Sequence, residues 1–222
     1  MIDAARRADR LLGCDLSYRH TEAMRRIRHD VAEGALGSVY AVDLVFHNAY
    51  GPNMGWARDM QLAGGGCAID LGTHLVDLAL WTLGSPAVER VDSQLYARGR
   101  RLPARPAEVE DFCFATLELA GGTAVRLACS WEFSGGRDAI IEAHFHGSAG
   151  GASLRNRDGS FFDFVAERYH GTQRALLAEP PDAWGGRAAV DWARRLGAGA
   201  RYETAIESLL PVAQALDAVY GR

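Results

Sequence analysis

The chain contains no lysine; all 24 of its basic side chains are arginines. Arginine stays protonated, so proton shuttling by a basic amine and Schiff-base chemistry are excluded for the residues present. Cysteine is scarce. Cys14, Cys67, Cys113 and Cys129 form no close pairs in sequence and show no metal-ligand spacing, which predicts reduced thiols, a cytoplasmic setting and no metal. No apolar run reaches the roughly 20 residues that a membrane-spanning helix needs, and the first residues lack a signal-peptide core. A net charge of −4 without a basic run argues against nucleic acid or an anionic membrane as partner. The dinucleotide fingerprint Gly-x-Gly-x-x-Gly is also missing: the glycines at 147–151 have the wrong spacing, and Gly197-Ala198-Gly199 lacks a third glycine.

What is present is an ordinary core-forming composition, 48% hydrophobic and 23% charged over 222 residues. That is long enough to bury one sizeable core. Apolar periodicity predicts a helix over residues 1–12, a short strand at Cys14 to Tyr18, and a helix capped by Thr21 and stopped by Gly34. Alternation predicts strands at 39–46, 88–98, 139–145, 152–155 and 161–165. Gly121-Gly122 marks a hairpin between 112–119 and 123–133. Helices near 187–196 and 203–220 complete the chain. The predicted fold is α+β, an open and mostly antiparallel sheet of about six strands covered by helices on one face.

Residues 64–84 carry the richest chemistry. At 100° per residue, Leu71, Leu75, Leu78 and Thr82 share one face, which should pack inward. Cys67, Asp70, His74, Asp77 and Trp81 share another. Asp70 and His74 stand one turn apart, where a carboxylate favours the imidazolium and moves its titration toward neutral pH or above. An acid beside an imidazole on a rigid element suits proton transfer at a hydroxyl or carbonyl. The same stripe is also compatible with a solvated helix face. Gly64, Gly65 and Gly66 precede it and permit close approach by a ligand or a neighbouring strand. Gly72 inside the helix costs about 1 kcal/mol relative to alanine, which points to a packing or ligand reason.

The segment Gly-Gly-x-x-x-Asp-x-Gly-x-His-x-x-Asp resembles the signature of the glucose–fructose oxidoreductase, inositol dehydrogenase and rhizopine-catabolism family, Gfo/Idh/MocA. Glu33 to Val39 resembles the family's approach to the first strand of its second domain, and 184–220 resembles its closing helices. The resemblance implies a substrate domain acting on a sugar, sugar derivative or cyclitol, with NAD(P) as cofactor and homo-oligomers built through the free sheet face. It implies that residues 1–20 are the last helix and strand of a nucleotide-binding domain, with 21–222 as the substrate domain and Met1 an internal residue. The family's Glu-Lys-Pro motif is absent. By resemblance His74 is the acid/base, Asp70 orients and charges it, and Asp77 supports the site or contacts substrate.

Further candidates for substrate contact are Arg19, His47 and Trp56, with His20, Tyr50 and Arg58 nearby in sequence. His144 and His146, two apart in a strand, share a face and would make a metal set with His74, but no further ligand pattern accompanies them. Trp131 and Phe133 read as sheet packing, and the Arg98 to Asp111 stretch reads as a solvated loop. Two other functions stay open: a subunit working with a separate nucleotide-binding chain, or a nicotinamide-independent sugar-binding module, lyase or isomerase using Asp70 and His74.

Overall fold

A computed structural model describes residues 1–222. Helix α1 covers Ile2–Ala8 and ends where Asp9 turns left-handed at φ 50°. Helix α2, Glu22–Ala32, starts as predicted, with the Thr21 hydroxyl accepting the Met24 amide at 3.1 Å. It stops before Gly34, at φ 72°. Strand β1 is Val39–Asn48. A single turn, α3 (Met60–Ala63), leads to a π-helical turn at Ala68–Gly72 that runs into α4, Thr73–Thr82.

Eight more strands come after it: β2 (Val88–Ala97), β3 (Arg100–Arg101), β4 (Phe112–Leu119), β5 (Ala124–Ser130), β6 (Ala139–Gly147), β7 (Gly151–Asn156), β8 (Phe164–His170) and β9 (Gln173–Ala178). Helices α5 (Arg187–Gly197) and α6 (Leu209–Val219) finish the chain. All nine strands form one sheet in the order β3-β2-β4-β5-β1-β6-β7-β8-β9. β1 pairs parallel with β5, and every other pair is antiparallel. The sheet is therefore larger than the six strands expected. The unpredicted strands β3 and β9 are edges; β3 and the first four residues of β9 are exposed, so neither shows the alternation of an inner strand. Gly121 and Gly122, at φ 90° and 88°, make the β4–β5 turn as the sequence indicated.

Period-two alternation sorts each strand. Val42, Leu44 and Phe46 of β1 point to the helical face with Val125 and Leu127 of β5, under Leu75 and Leu78 of α4, while Met24 and Ile27 of α2 cover the β7–β9 end of the same face. The predicted strand at Cys14 to Tyr18 does not form. A strand needs a paired neighbour, the sheet does not reach this segment, and Ser17–His20 instead closes a 3₁₀ turn against α4. No helix is long and apolar enough to cross a membrane.

Candidate active site

The local problem at the start of the signature helix is that Ala63-Gly64-Gly65-Gly66-Cys67 offers no side chain able to cap its first amides. The acceptor comes from the loop before β4. Glu110, fully buried, takes the Gly66 amide at 3.0 and 2.9 Å on its two oxygens and the Ala68 amide at 2.9 Å. Its own carbonyl takes the Cys67 amide at 3.2 Å. The Tyr220 hydroxyl donates to the same carboxylate at 2.7 Å. Burial raises the Glu110 carboxyl, while the two amides and the phenol oppose the rise. Reading the loop as solvated therefore fails at Glu110. The glycines make the contact possible: a Cβ on Gly65 would lie 2.2 Å from the Tyr220 hydroxyl, and one on Gly66 2.0 Å from the Glu110 carbonyl. Gly72 is different, since a Cβ there would meet nothing nearer than 3.6 Å.

The π turn changes which residues share a face. One extra residue in the turn displaces the residues before it by about 100° relative to those after it. Cys67 consequently leaves the predicted stripe and points into the sheet, its sulfur 4.0 Å from that of Cys129. Cys113 sits opposite Cys129 in the β4–β5 register, so three thiols that are distant in sequence converge in the core. Burial pushes the Cys67 thiol up to about 11, which makes it inert. Leu71, Leu75, Leu78 and Thr82 face inward as expected.

Asp70, His74, Asp77 and Trp81 still succeed one another along the helix. Asp70 is exposed, and its carboxylate accepts the Trp131 indole N–H at 2.9 Å. Asp70 and His74 are not hydrogen-bonded to each other. His74 is largely covered, with the Tyr18 ring edge-on at 5.0 Å and the Trp184 ring tilted against Tyr18 at 5.4 Å. Burial lowers the His74 imidazole below its ordinary value and outweighs the opposing pull of Asp70, Asp77 and Asp15. That corrects the expected imidazolium: desolvation beats the neighbouring carboxylates, and the ring is neutral at pH 7.

Asp77 is 2% exposed and is gripped by the Arg19 guanidinium, Nε to Oδ2 at 2.8 Å and a second bond between Nη2 and Oδ1. Burial raises the Asp77 carboxyl, and the Arg19 fork opposes the rise. Arg19 also lies 5.8 Å from the Trp81 ring, and Arg28 covers that ring at 4.5 Å. Arg19 and Asp77, both expected to contact substrate, are thus bound to each other. Arg19 and Trp81 border a depression of about 400 Å³ that also reaches His20 and Trp192.

His47 lies elsewhere. His47 alternates with the inward Phe46, so it projects from the sheet face opposite α4, stacked on Phe133 at 4.3 Å and bonded to the Ser130 hydroxyl at 2.8 Å. Trp56 is 54% exposed on the turn Gly55–Arg58. His144 and His146 are on the outer face too, 3.3 Å from Glu142 and 3.1 Å from Asp43, with the sheet between them and His74. The outer face holds a depression of about 700 Å³ along β4, β5 and β1, remote from Asp70 and His74. Glu110, Tyr220, Tyr18 and the Trp131 contact were not identified from sequence. The uncapped glycine run was a usable signal for the first of these.

Residues 24–153 match the GFO/IDH/MocA C-terminal domain. The chain belongs to the GFO/IDH/MocA family. D-glucoside 3-dehydrogenase of Escherichia coli strain K12 is 30% identical over 69% of this chain and 47% of its own length. A putative UDP-kanosamine synthase oxidoreductase subunit of Amycolatopsis mediterranei is 32% identical over 70% of this chain and 46% of its own. This GFO/IDH/MocA chain thus spans about half the length of those curated relatives. Aldose-aldose oxidoreductase from Caulobacter crescentus, solved with glycerol, shares the fold over 99% of this chain and 63% of its own, at TM-score 0.80 and 19% identity. KijD10, a 3-ketoreductase from Actinomadura kijaniata solved with NADP, covers 98% of this chain and 64% of its own, at TM-score 0.76 and 18% identity. Within that family, the matched residues correspond to the C-terminal domain.

Proposed function

We propose that the chain is the substrate domain of an NAD(P)-dependent oxidoreductase acting on a sugar, a sugar derivative or a cyclitol. The observation that carries this reading is the pairing of an exposed, indole-anchored Asp70 with a neutral, half-enclosed His74 one turn later on the same rigid helix. A neutral imidazole can take the proton of a carbinol as the carbon is oxidised and return it in the reverse direction. Asp70 accepts hydroxyl hydrogen bonds and so orients the sugar ring. Asp77 and Arg19 hold the helix and the 3₁₀ turn together beneath it.

The residues present do not fit a nicotinamide dinucleotide. There is no Gly-x-Gly-x-x-Gly turn, and the parallel pair β1 and β5 carries no glycine-rich strand-to-helix turn that could cradle a pyrophosphate. The cofactor would be held by a nucleotide-binding domain or chain. Residues 1–20 are read as the end of such a domain. In support, α1 buries none of its residues, and residues 9–16 find no strand partner in this sheet. The outer sheet face, where Phe114 is exposed, is read as the surface joining copies of the chain.

The test has two parts. Titration of the chain with a panel of sugars and cyclitols should give saturable binding that Asp70→Asn weakens. With a nucleotide-binding domain supplied, NAD(P)-dependent turnover should appear and His74→Ala should abolish it with the fold intact by circular dichroism. Turnover retained in H74A refutes the role of His74. Binding without turnover under any arrangement favours a sugar-binding module, and turnover without nicotinamide favours a lyase or isomerase.

A further inference from the structure

Glu110 lies 40 residues from Asp70 in sequence, yet it is the acceptor around which the signature helix starts. Three successive backbone amides, Gly66, Cys67 and Ala68, converge on this one residue, two on its carboxylate and one on its carbonyl. A carboxylate at a helix N-terminus faces the positive end of the dipole, so its charge is matched there. The three amides fix the backbone immediately before the π turn Ala68–Gly72. At the end of that turn the Thr73 hydroxyl donates back to the Ile69 carbonyl, which helps hold the widened spacing. The Tyr220 phenol, wedged over Gly65, fastens the carboxylate to the end of α6.

The orientation of Asp70 depends on this arrangement. With the amides released, the π turn can relax to the tighter α geometry, which rotates the residues before it by about 100° against those after it. Asp70 sits within that turn, and its bond to the Trp131 indole is set by the present geometry. His74 lies in regular helix beyond it.

We propose that Glu110, braced by Tyr220, is a positioning residue that holds the π turn and thereby the relative placement of Asp70 and His74. It contacts neither side chain and acts through the backbone. The inference rests on the reading of Asp70 and His74 as the reacting pair for its functional meaning, but its test needs no activity. In nuclear magnetic resonance spectra of the 222-residue chain, the Trp131 indole proton reports its bond to Asp70, and the His74 ring protons report its titration. The two sets of signals are assigned with Trp131→Phe and His74→Gln.

Glu110→Gln keeps the size of the side chain but loses the charge and turns a donor toward the amides. The expected result is an upfield shift of the Trp131 indole proton and a rise in the His74 midpoint, with resonances of β6 to β8 unmoved. Tyr220→Phe keeps the charge, removes one brace and should give smaller changes in the same sense. It also serves as the test if Glu110→Gln does not fold. A folded E110Q or Y220F whose Trp131 and His74 signals coincide with wild type would overturn the proposal. General line broadening across the sheet in both variants would also overturn it, by showing that Glu110 supports the whole fold and not this turn.

Discussion

Gly66→Ala should be among the most damaging single-methyl additions in this chain. The new Cβ would stand 2.0 Å from the Glu110 carbonyl oxygen and 2.6 Å from Val109 Cγ1. The oxygen belongs to the backbone, so no rotamer change relieves the contact, and the loop must retreat by more than 1 Å, roughly, to reach ordinary contact distance. That retreat pulls Glu110 from Gly66, Ala68 and Tyr220 together, stranding buried donors. Overpacking costs about 1–3 kcal/mol, and unsatisfied buried donors about 1–3 kcal/mol more. The combined loss is expected to be about 3–5 kcal/mol, a large share of the roughly 5–15 kcal/mol that holds a domain folded. Gly72→Ala is the internal control. Its Cβ meets only ordinary contacts at 3.6 Å and beyond, and alanine is the better helix former, so stability should hold or rise by up to about 1 kcal/mol. Urea unfolding followed by tryptophan fluorescence gives both midpoints. A G66A stability within about 1 kcal/mol of wild type, or equal losses at the two positions, would refute the steric argument.

The same contacts set four other outcomes. Arg19→Ala leaves the buried Asp77 carboxylate unpaired and should cost about 3–5 kcal/mol in urea unfolding, while Arg19→Ala with Asp77→Asn recovers part of it; equal losses in the two variants would show that the pair does not couple. Burial depresses the His74 imidazole, so the unfolded chain binds more protons as the pH falls below about 6.5. His74 therefore contributes stability above that pH and loses it through the window below, at up to about 1.4 kcal/mol per pH unit. Asp77 and Glu110, raised by burial, act in the opposite sense, so the measurement is the difference between wild type and His74→Gln: the variant should show the shallower acid loss, and parallel curves would refute the assignment. A thiol reagent should label Cys14 alone in the folded chain and all four cysteines in denaturant, and native labelling of Cys67, Cys113 or Cys129 would contradict their burial. Phe114→Arg on the outer face should shift any oligomer toward monomer in light scattering, without loss of sugar binding; an unchanged mass in an oligomeric sample would place the interface elsewhere.

The sequence by itself determined the fold class, the inward face of the signature helix and the spacing of Asp70 and His74. Strong local signals account for this: the Thr21 cap, the Gly121-Gly122 turn and alternation in β1, β4 and β6 each act within a few residues. Asp70 and His74 were legible because a four-residue spacing puts two side chains on adjoining turns of a helix. Their electrostatics were not. Whether a carboxylate or desolvation governs His74 depends on Tyr18 and Trp184, which approach from elsewhere in the chain. His47 seemed close to the site in sequence, but strand alternation from the inward Phe46 places it on the other side of the sheet. The π turn, and with it the departure of Cys67 from the stripe, was invisible to a reading at 100° per residue. It depends on Glu110 and Tyr220, brought to the helix start from 44 and 154 residues away. Local periodicity fixes which residues face together, whereas desolvation and long-range capping arise only when distant segments exclude water from the same place.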